Sequence, residues 1–206
     1  MENKIKINAI FKSVQGEGQY AGYPMLFIRV SGCNRNCSYC DTKYHTEGKN
    51  MTLKEIQTEI RISKMHYICF TGGEPLLYKK QILEICNEDR TDREYHIETN
   101  GDFLDKEVFF VFDYIGCSPK DLKTAKKVKK LLKGFQSEYC DIKIVTDLKK
   151  VGISMLKYAT RIMPLTTFDE KKDLAISKKV WNYCVENKKI YTPRLHINVW
   201  GNKRKI

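Results

Sequence analysis

Gly32-Cys33-Asn34-Arg35-Asn36-Cys37-Ser38-Tyr39-Cys40 puts three thiols on one loop in a C-x3-C-x2-C spacing. Three thiolates so placed can hold three irons of a 4Fe–4S cluster and leave the fourth without a protein ligand. Clusters that only carry electrons are usually closed by four cysteines. An open iron implies that a small molecule completes its shell and that the cluster does chemistry. The other reading of these residues is structural zinc, with His45 as a fourth ligand five residues after Cys40. Structural zinc sites favour paired cysteine units far apart in the chain, whereas these three crowd one loop. The loop follows an apolar run at 25–31 that reads as a strand, so it leaves that strand's C-terminal end.

Outward from this loop, strand-like and helix-like segments alternate. Strands are predicted at 4–11, 25–31, 67–71, 95–99, 111–117, 139–145, 159–163 and 194–200. Helices are predicted at 52–63, 79–87, 121–133, 148–157 and 169–186. This βαβα order predicts an α/β fold with a mostly parallel sheet covered by helices. The C-terminal strand edge, where the cysteine loop lies, is where such sheets and barrels place their chemistry. No linker, repeat or low-complexity segment interrupts the 206 residues, which read as one domain, 1–206.

No apolar run approaches the roughly 18–20 residues of a membrane span. Residues 1–6 lack the apolar block of a secretory signal. Eight cysteines without a signal argue against disulfides and for a reducing, cytoplasmic setting. Cys69, Cys86, Cys117, Cys140 and Cys184 are scattered in apolar contexts and read as small core residues. The net charge of +12 favours anionic partners without naming one. Much of it lies in 120–133, where seven lysines surround Leu122, Ala125, Leu131 and Leu132. That pattern reads as an amphipathic helix with a solvated basic face; tRNA, DNA or an acidic protein are the other occupants it leaves open.

A second motif, Thr71-Gly72-Gly73-Glu74-Pro75, directly follows the strand at 67–71. Paired glycines let a backbone approach a ligand without interference from Cβ. The carbonyls and carboxylate there can accept hydrogen bonds from an ammonium group. On the strand at 25–31, Phe27, Arg29 and Ser31 share one face and Leu26, Ile28 and Val30 the other. Both faces of such a strand are covered, so Arg29 points inward and needs a planar anion. A substrate carboxylate and an internal glutamate both fit that description.

Together the cysteine loop and the glycine turn resemble the radical S-adenosylmethionine (SAM) superfamily. Further pieces narrow the likeness: Phe11-Lys12-Ser13-Val14-Gln15-Gly16-Glu17-Gly18, the run from Phe27 to Asn34, and Cys40-Asp41-Thr42. Downstream stand His96-Ile97-Glu98-Thr99-Asn100-Gly101, Cys117-Ser118-Pro119-Lys120, and Leu195-His196 with Trp200-Gly201-Asn202. In this order and spacing they look like the 7-carboxy-7-deazaguanine synthase family over nearly the whole chain.

The resemblance implies an incomplete TIM-like (β/α) barrel of the radical SAM type. It implies a 4Fe–4S cluster on Cys33, Cys37 and Cys40, with SAM contacted by Tyr39, Gly73, Glu74, Ser118, Pro119 and Lys120. Substrate contacts fall to Val14, Gln15, Gly16, Arg29, Thr71 and the Ile206 carboxylate, and Mg²⁺ to Thr42. Glu98 and Asn100 fit either a ribose or a pterin, and Met163-Pro164-Leu165-Thr166 borders the adenine or packs the core. The implied reaction is the ring contraction of 6-carboxy-5,6,7,8-tetrahydropterin to 7-carboxy-7-deazaguanine with loss of ammonia, in 7-deazapurine biosynthesis. A flavodoxin-type electron donor and a homodimer come with the family; direct nucleic-acid binding does not. His45, His66 and His96 read as surface or core residues, and His196 as a structural residue of a final strand. Two rivals remain: an activase that installs a glycyl radical on a large protein partner, and a basic zinc module that binds nucleic acid.

Overall fold

The structure, a computed structural model, describes residues 3–40, 46–90, 92–135, 137–201 and 203. Its strands are β1 (Lys4–Val14), β2 (Pro24–Val30), β3 (Lys49–Thr52), β4 (Tyr67–Gly72), β5 (Glu94–Thr99), β6 (Tyr114–Cys117), β7 (Cys140–Thr146), β8 (Arg161–Pro164) and β9 (Ile190–Tyr191). The helices are α1 (Leu53–Ser63), α2 (Lys79–Glu88), α3 (Lys106–Val111), α4 (Leu122–Leu132), α5 (Glu170–Glu186) and α6 (Leu195–Trp200). All nine strands share one sheet in the order β3-β1-β2-β4-β5-β6-β7-β8-β9. From β2 to β9 every pairing is parallel, whereas β1 runs antiparallel to β2 and β3. The sheet curves without closing, so the fold is an incomplete α/β barrel.

Alternation along each strand sorts residues between two environments. Outward residues such as Ile28, Ile68, Phe70, Ile97, Ile115, Ile142 and Ile162 pack under the helices with Ile56, Ile60, Ile82, Val128 and Val180. Each such side chain, fully buried, contributes about 1.5–3 kcal/mol. The inward face holds a small apolar cluster of Met25, Phe27 and Cys69, and beyond it polar and charged side chains. Among the described residues no helix is long and apolar enough to cross a membrane.

Three predicted elements differ. The strand expected at 194–200 is the helix α6, in which Asn198 N–H donates to the Arg194 carbonyl and Gly201 ends the turn at φ +61°. The helix expected at 148–157 is reduced to a 3₁₀ segment, Ile153–Tyr158. Its first turn is lost because the Asp147 carboxylate accepts the N–H groups of Lys149, Lys150 and Val151, each at 2.9 Å, and Leu148 turns to φ +57°. The strand expected at 111–117 begins only at Tyr114, because Asp105 caps Val108 N–H and starts α3. The short strands β3 and β9, like α3, had no counterpart in the sequence reading.

Candidate active site

β2 and β4 lie side by side, with Val30 opposite Gly72, and the chain leaves both at the same sheet edge. There the cysteine loop and the glycine turn grip each other through backbone bonds. Gly73 N–H donates to the Val30 carbonyl at 3.3 Å and Glu74 N–H to the Gly32 carbonyl at 2.8 Å. A side chain on Gly73 would collide with the Gly32 carbonyl and meet the Cβ of Cys33. Gly72 adopts φ +129°, which L side chains rarely take. The glycine pair is therefore what lets the two segments touch.

A second clasp holds the cysteine loop to the edge of β5 and to α4. The Arg35 guanidinium forks onto Asp102 with two bonds of 2.6 Å and reaches Asp121 at 2.6 Å. Asn34 donates to Asp102 at 2.7 Å and accepts from Asn100 at 2.8 Å. The guanidinium holds the Asp102 carboxyl down at about 2, so this charge persists across physiological pH.

Above the strand ends opens a cavity of about 270 Å³. Cys33, Cys37, Cys40 and Tyr39 line it, together with Thr71, Gly73, Ser118 and Lys120. Val14, Gln15, Gly16 and Arg29 line the same cavity. The Arg29 guanidinium lies 5.6 Å from the Phe11 ring, which stacks on Phe27, and Lys120 lies 5.7 Å from the Tyr39 ring. Asn100 and Met163 also face the space.

Two residues expected at this cavity are not among the described residues that line it. Glu74 has no exposed surface; its carboxylate accepts from Leu76 N–H, Thr99 Oγ1 and Asn100 N–H at 2.7–3.0 Å. Those bonds turn the side chain inward to hold the glycine turn against β5. Pro119 is likewise buried below the edge. Thr42 and Ile206 lie outside the described residues.

The cavity floor carries a charged group that the sequence reading did not assemble. Lys143 on β7 has no exposed side-chain surface and sits between Glu17 Oε2 (2.9 Å) and Glu98 Oε2 (2.6 Å). Arg194 Nε meets the other Glu17 oxygen at 3.0 Å, and Gln15 Nε2 donates to Glu98 Oε1 at 3.2 Å. Gly116 on β6 makes room for this: a Cβ there would lie 2.6 Å from both Glu98 oxygens. Burial raises the Glu98 carboxyl to about 7 despite Lys143. Glu17, partly buried, is held well below the usual carboxylate range by Lys143 and Arg194. Lys143 is stabilised as the cation by both carboxylates. Its signal was present in Asp141-Ile142-Lys143-Ile144, where alternation turns the lysine inward just as it turns Arg29.

His196, on α6 and not on a strand, lines the cavity beside Gly16, and Leu195 N–H donates to the Gly16 carbonyl at 2.8 Å. His66 is exposed, and His96 is buried in an aromatic layer beneath the charges, against Tyr20 and Tyr114. Burial drops the His96 imidazole to about 4, so it is neutral there.

Among the described residues no three His, Cys, Asp or Glu side chains are gathered closely enough to hold a metal ion. The three thiols instead sit half-exposed in the lining of the cavity. That soft donor set, lining the cavity and flanked by a backbone opened by glycine, fits an iron–sulfur cluster.

Comparison with known proteins agrees. Residues 27–171 match the family model of the radical SAM superfamily. A 7-carboxy-7-deazaguanine synthase from Pyrobaculum aerophilum is 30% identical over 98% of this chain and 97% of its own length. The chain belongs to this family. Another member, from Methanospirillum hungatei, is 39% identical over 70% of this chain, but the match spans only 57% of that relative. The crystal structure of QueE from Escherichia coli shares the fold, with TM-score 0.59 at 15% identity over 94% of this chain and 95% of that one. Radical SAM membership carries with it a 4Fe–4S cluster and SAM.

Proposed function

We propose that this radical SAM protein converts 6-carboxy-5,6,7,8-tetrahydropterin to 7-carboxy-7-deazaguanine and ammonia. The change is redox-neutral, and the atoms of ammonia are the only ones lost. One observation carries the reading: Cys33, Cys37 and Cys40 line a single cavity together with Gln15, Arg29 and Glu98. Cys33, Cys37 and Cys40 would hold the cluster, which when bound and reduced supplies the electron that opens SAM and starts the rearrangement.

The chain's own residues bind and orient. Gly73, Tyr39, Ser118 and Lys120 border the space for SAM, and Glu74 serves it through the turn it fixes. Arg29 takes the pterin carboxylate in a forked pair. The Gln15 amide, the backbone of Val14 and Gly16, Thr71 and the Glu98 carboxyl offer donors and acceptors to the edge of the pterin ring. Phe11 and Phe27 supply an apolar flank that keeps water from the reacting carbons. The reading also assigns Mg²⁺ to Thr42 and a substrate contact to Ile206, both outside the described residues. The proposal includes a homodimer, a flavodoxin-type donor and a cytoplasmic setting.

The test is anaerobic reconstitution with iron and sulfide, followed by SAM, Mg²⁺, dithionite and the carboxytetrahydropterin. The deazaguanine and ammonia should accumulate together. If SAM is cleaved while the pterin is untouched, the substrate assignment fails and the cofactor assignment stands.

A further inference from the structure

α4 carries Lys123, Lys126, Lys127, Lys129, Lys130 and Lys133 (its cap), all exposed, and no acidic residue within Leu122–Leu132. At 100° per residue, Lys123, Lys126, Lys127 and Lys130 fall on one stripe. These lysines are each other's neighbours at i+3 and i+4, an arrangement in which like charges destabilise a helix. Lys123 and Lys126 also stand near the helix N-terminus, where cations are disfavoured. α5, by contrast, mixes Glu170, Asp173 and Glu186 with its lysines, and Lys172 pairs with Asp169 at 3.0 Å. α4 therefore concentrates positive charge against its own stability.

Its position gives that charge a use. The first turn of α4 is bonded to the cysteine loop. Thr124 Oγ1 donates to Asp102 at 2.9 Å, Asp102 and Asp121 hold Arg35, and Lys127 Nζ donates to the Asp102 carbonyl at 2.7 Å. No residue of Leu122–Leu132 is among the described residues that line the cavity, so a reductant approaching over α4 reaches the cysteine loop from outside the cavity.

We infer that the lysine stripe of α4 is the docking surface for a small acidic one-electron carrier that reduces the cluster. This rests on the radical SAM reading above. In the step, one electron leaves the fully reduced carrier and is taken up by the oxidised cluster; no proton or group is transferred. Such redox encounters are small and weak, and complementary charge raises their on-rate. They weaken as salt screens the fields.

The test uses a purified flavodoxin as the probe and measures its affinity for the full chain, with and without reconstituted cluster, at low and high salt. A triple variant Lys123→Glu, Lys126→Glu, Lys130→Glu should weaken flavodoxin binding at low salt by about tenfold or more. The matching glutamine variant should fall between it and wild type. A control on α5, Lys178→Glu with Lys179→Glu, should change binding by less than about twofold. Dithionite-driven SAM cleavage should persist in every variant, which also reports a folded site. Equal flavodoxin binding by wild type and the triple variant overturns the inference, as does equal weakening by the α5 control. So does loss of tRNA binding by the triple variant with flavodoxin binding unchanged, which would mark a nucleic-acid face. If dithionite-reduced wild type consumes no pterin, the proposed reaction fails while the docking surface is still judged by affinity alone.

Discussion

Lys143 is a fully buried cation shared by two partly buried carboxylates, and the two do not share it equally. Arg194 adds a second positive charge beside Glu17 and none beside Glu98, so Glu17 stays ionised while burial lifts Glu98 to about 7. The linkage signs are opposite. Glu98 has a raised native pKa, so its contribution to stability is complete below about 4.5, the ordinary value, and is lost as pH rises towards about 7. Glu17 has a depressed native pKa, so its contribution is present above about 4.5 and disappears as the medium turns acid. We expect a protonated-carboxyl infrared band that fades as pH rises through about 7 and is missing in Glu98→Gln. The stability of wild type relative to that variant should fall as pH rises from about 4.5 towards about 7. A band unchanged across neutrality would contradict the assignment. Arg29 was legible as an inward charge because its strand is short, apolar and strictly alternating. Lys143 was equally regular, but its two partners lie 126 and 45 residues away, and nothing local announces them.

At the scale of elements, α6 borders the cavity beside Gln15 and Gly16. Its hold on the Gln15–Gly16 turn depends on Gly16, since a methyl there would strike the His196 ring. Gly16→Ala should therefore push α6 away and weaken carboxytetrahydropterin binding by about tenfold, or about 1.4 kcal/mol, while leaving affinity for SAM within a factor of about two. Equilibrium binding of each ligand to the reconstituted protein separates the two effects. The segment was misread as a strand for a definite reason. Leu195, Ile197 and Val199 alternate with polar residues, but a helix of so few residues shows too little of its 3.6-residue period to compete with that pattern. The long parallel strands and α1, α4 and α5 were legible because each spans enough residues to display its period. Thr52 and Glu55 add a capping box that marks the start of α1. Over 148–157 the apolar spacing was helical, but the Asp147 carboxylate took the backbone donors first.

Across the whole molecule, stability and chemistry are housed separately. The large apolar core lies between sheet and helices and includes none of the three cluster cysteines, which ride on a loop above the strand ends. Stripping iron and sulfide should thus erase the visible absorbance while leaving the far-ultraviolet circular dichroism and a cooperative thermal transition in place. Small metal-folded modules behave oppositely, losing their fold with the metal. Unfolding on chelation would mean that the loop, not the sheet, organises the chain. The open sheet suits this division: β1 and β3 extend one edge with antiparallel pairing and leave the C-terminal ends of the parallel strands to the two motif loops.

The sequence by itself determined the cluster loop, the glycine turn and the alternating α/β plan, because each is written in neighbouring residues whose spacing carries its own physics. Only the tertiary structure decided that Glu74 faces inward, that Lys143 joins Glu17 to Glu98, and that the last helix brings His196 and Arg194 to the cavity. Those contacts join positions up to 177 residues apart. Their existence depends on which strands lie side by side, and local periodicity does not encode that.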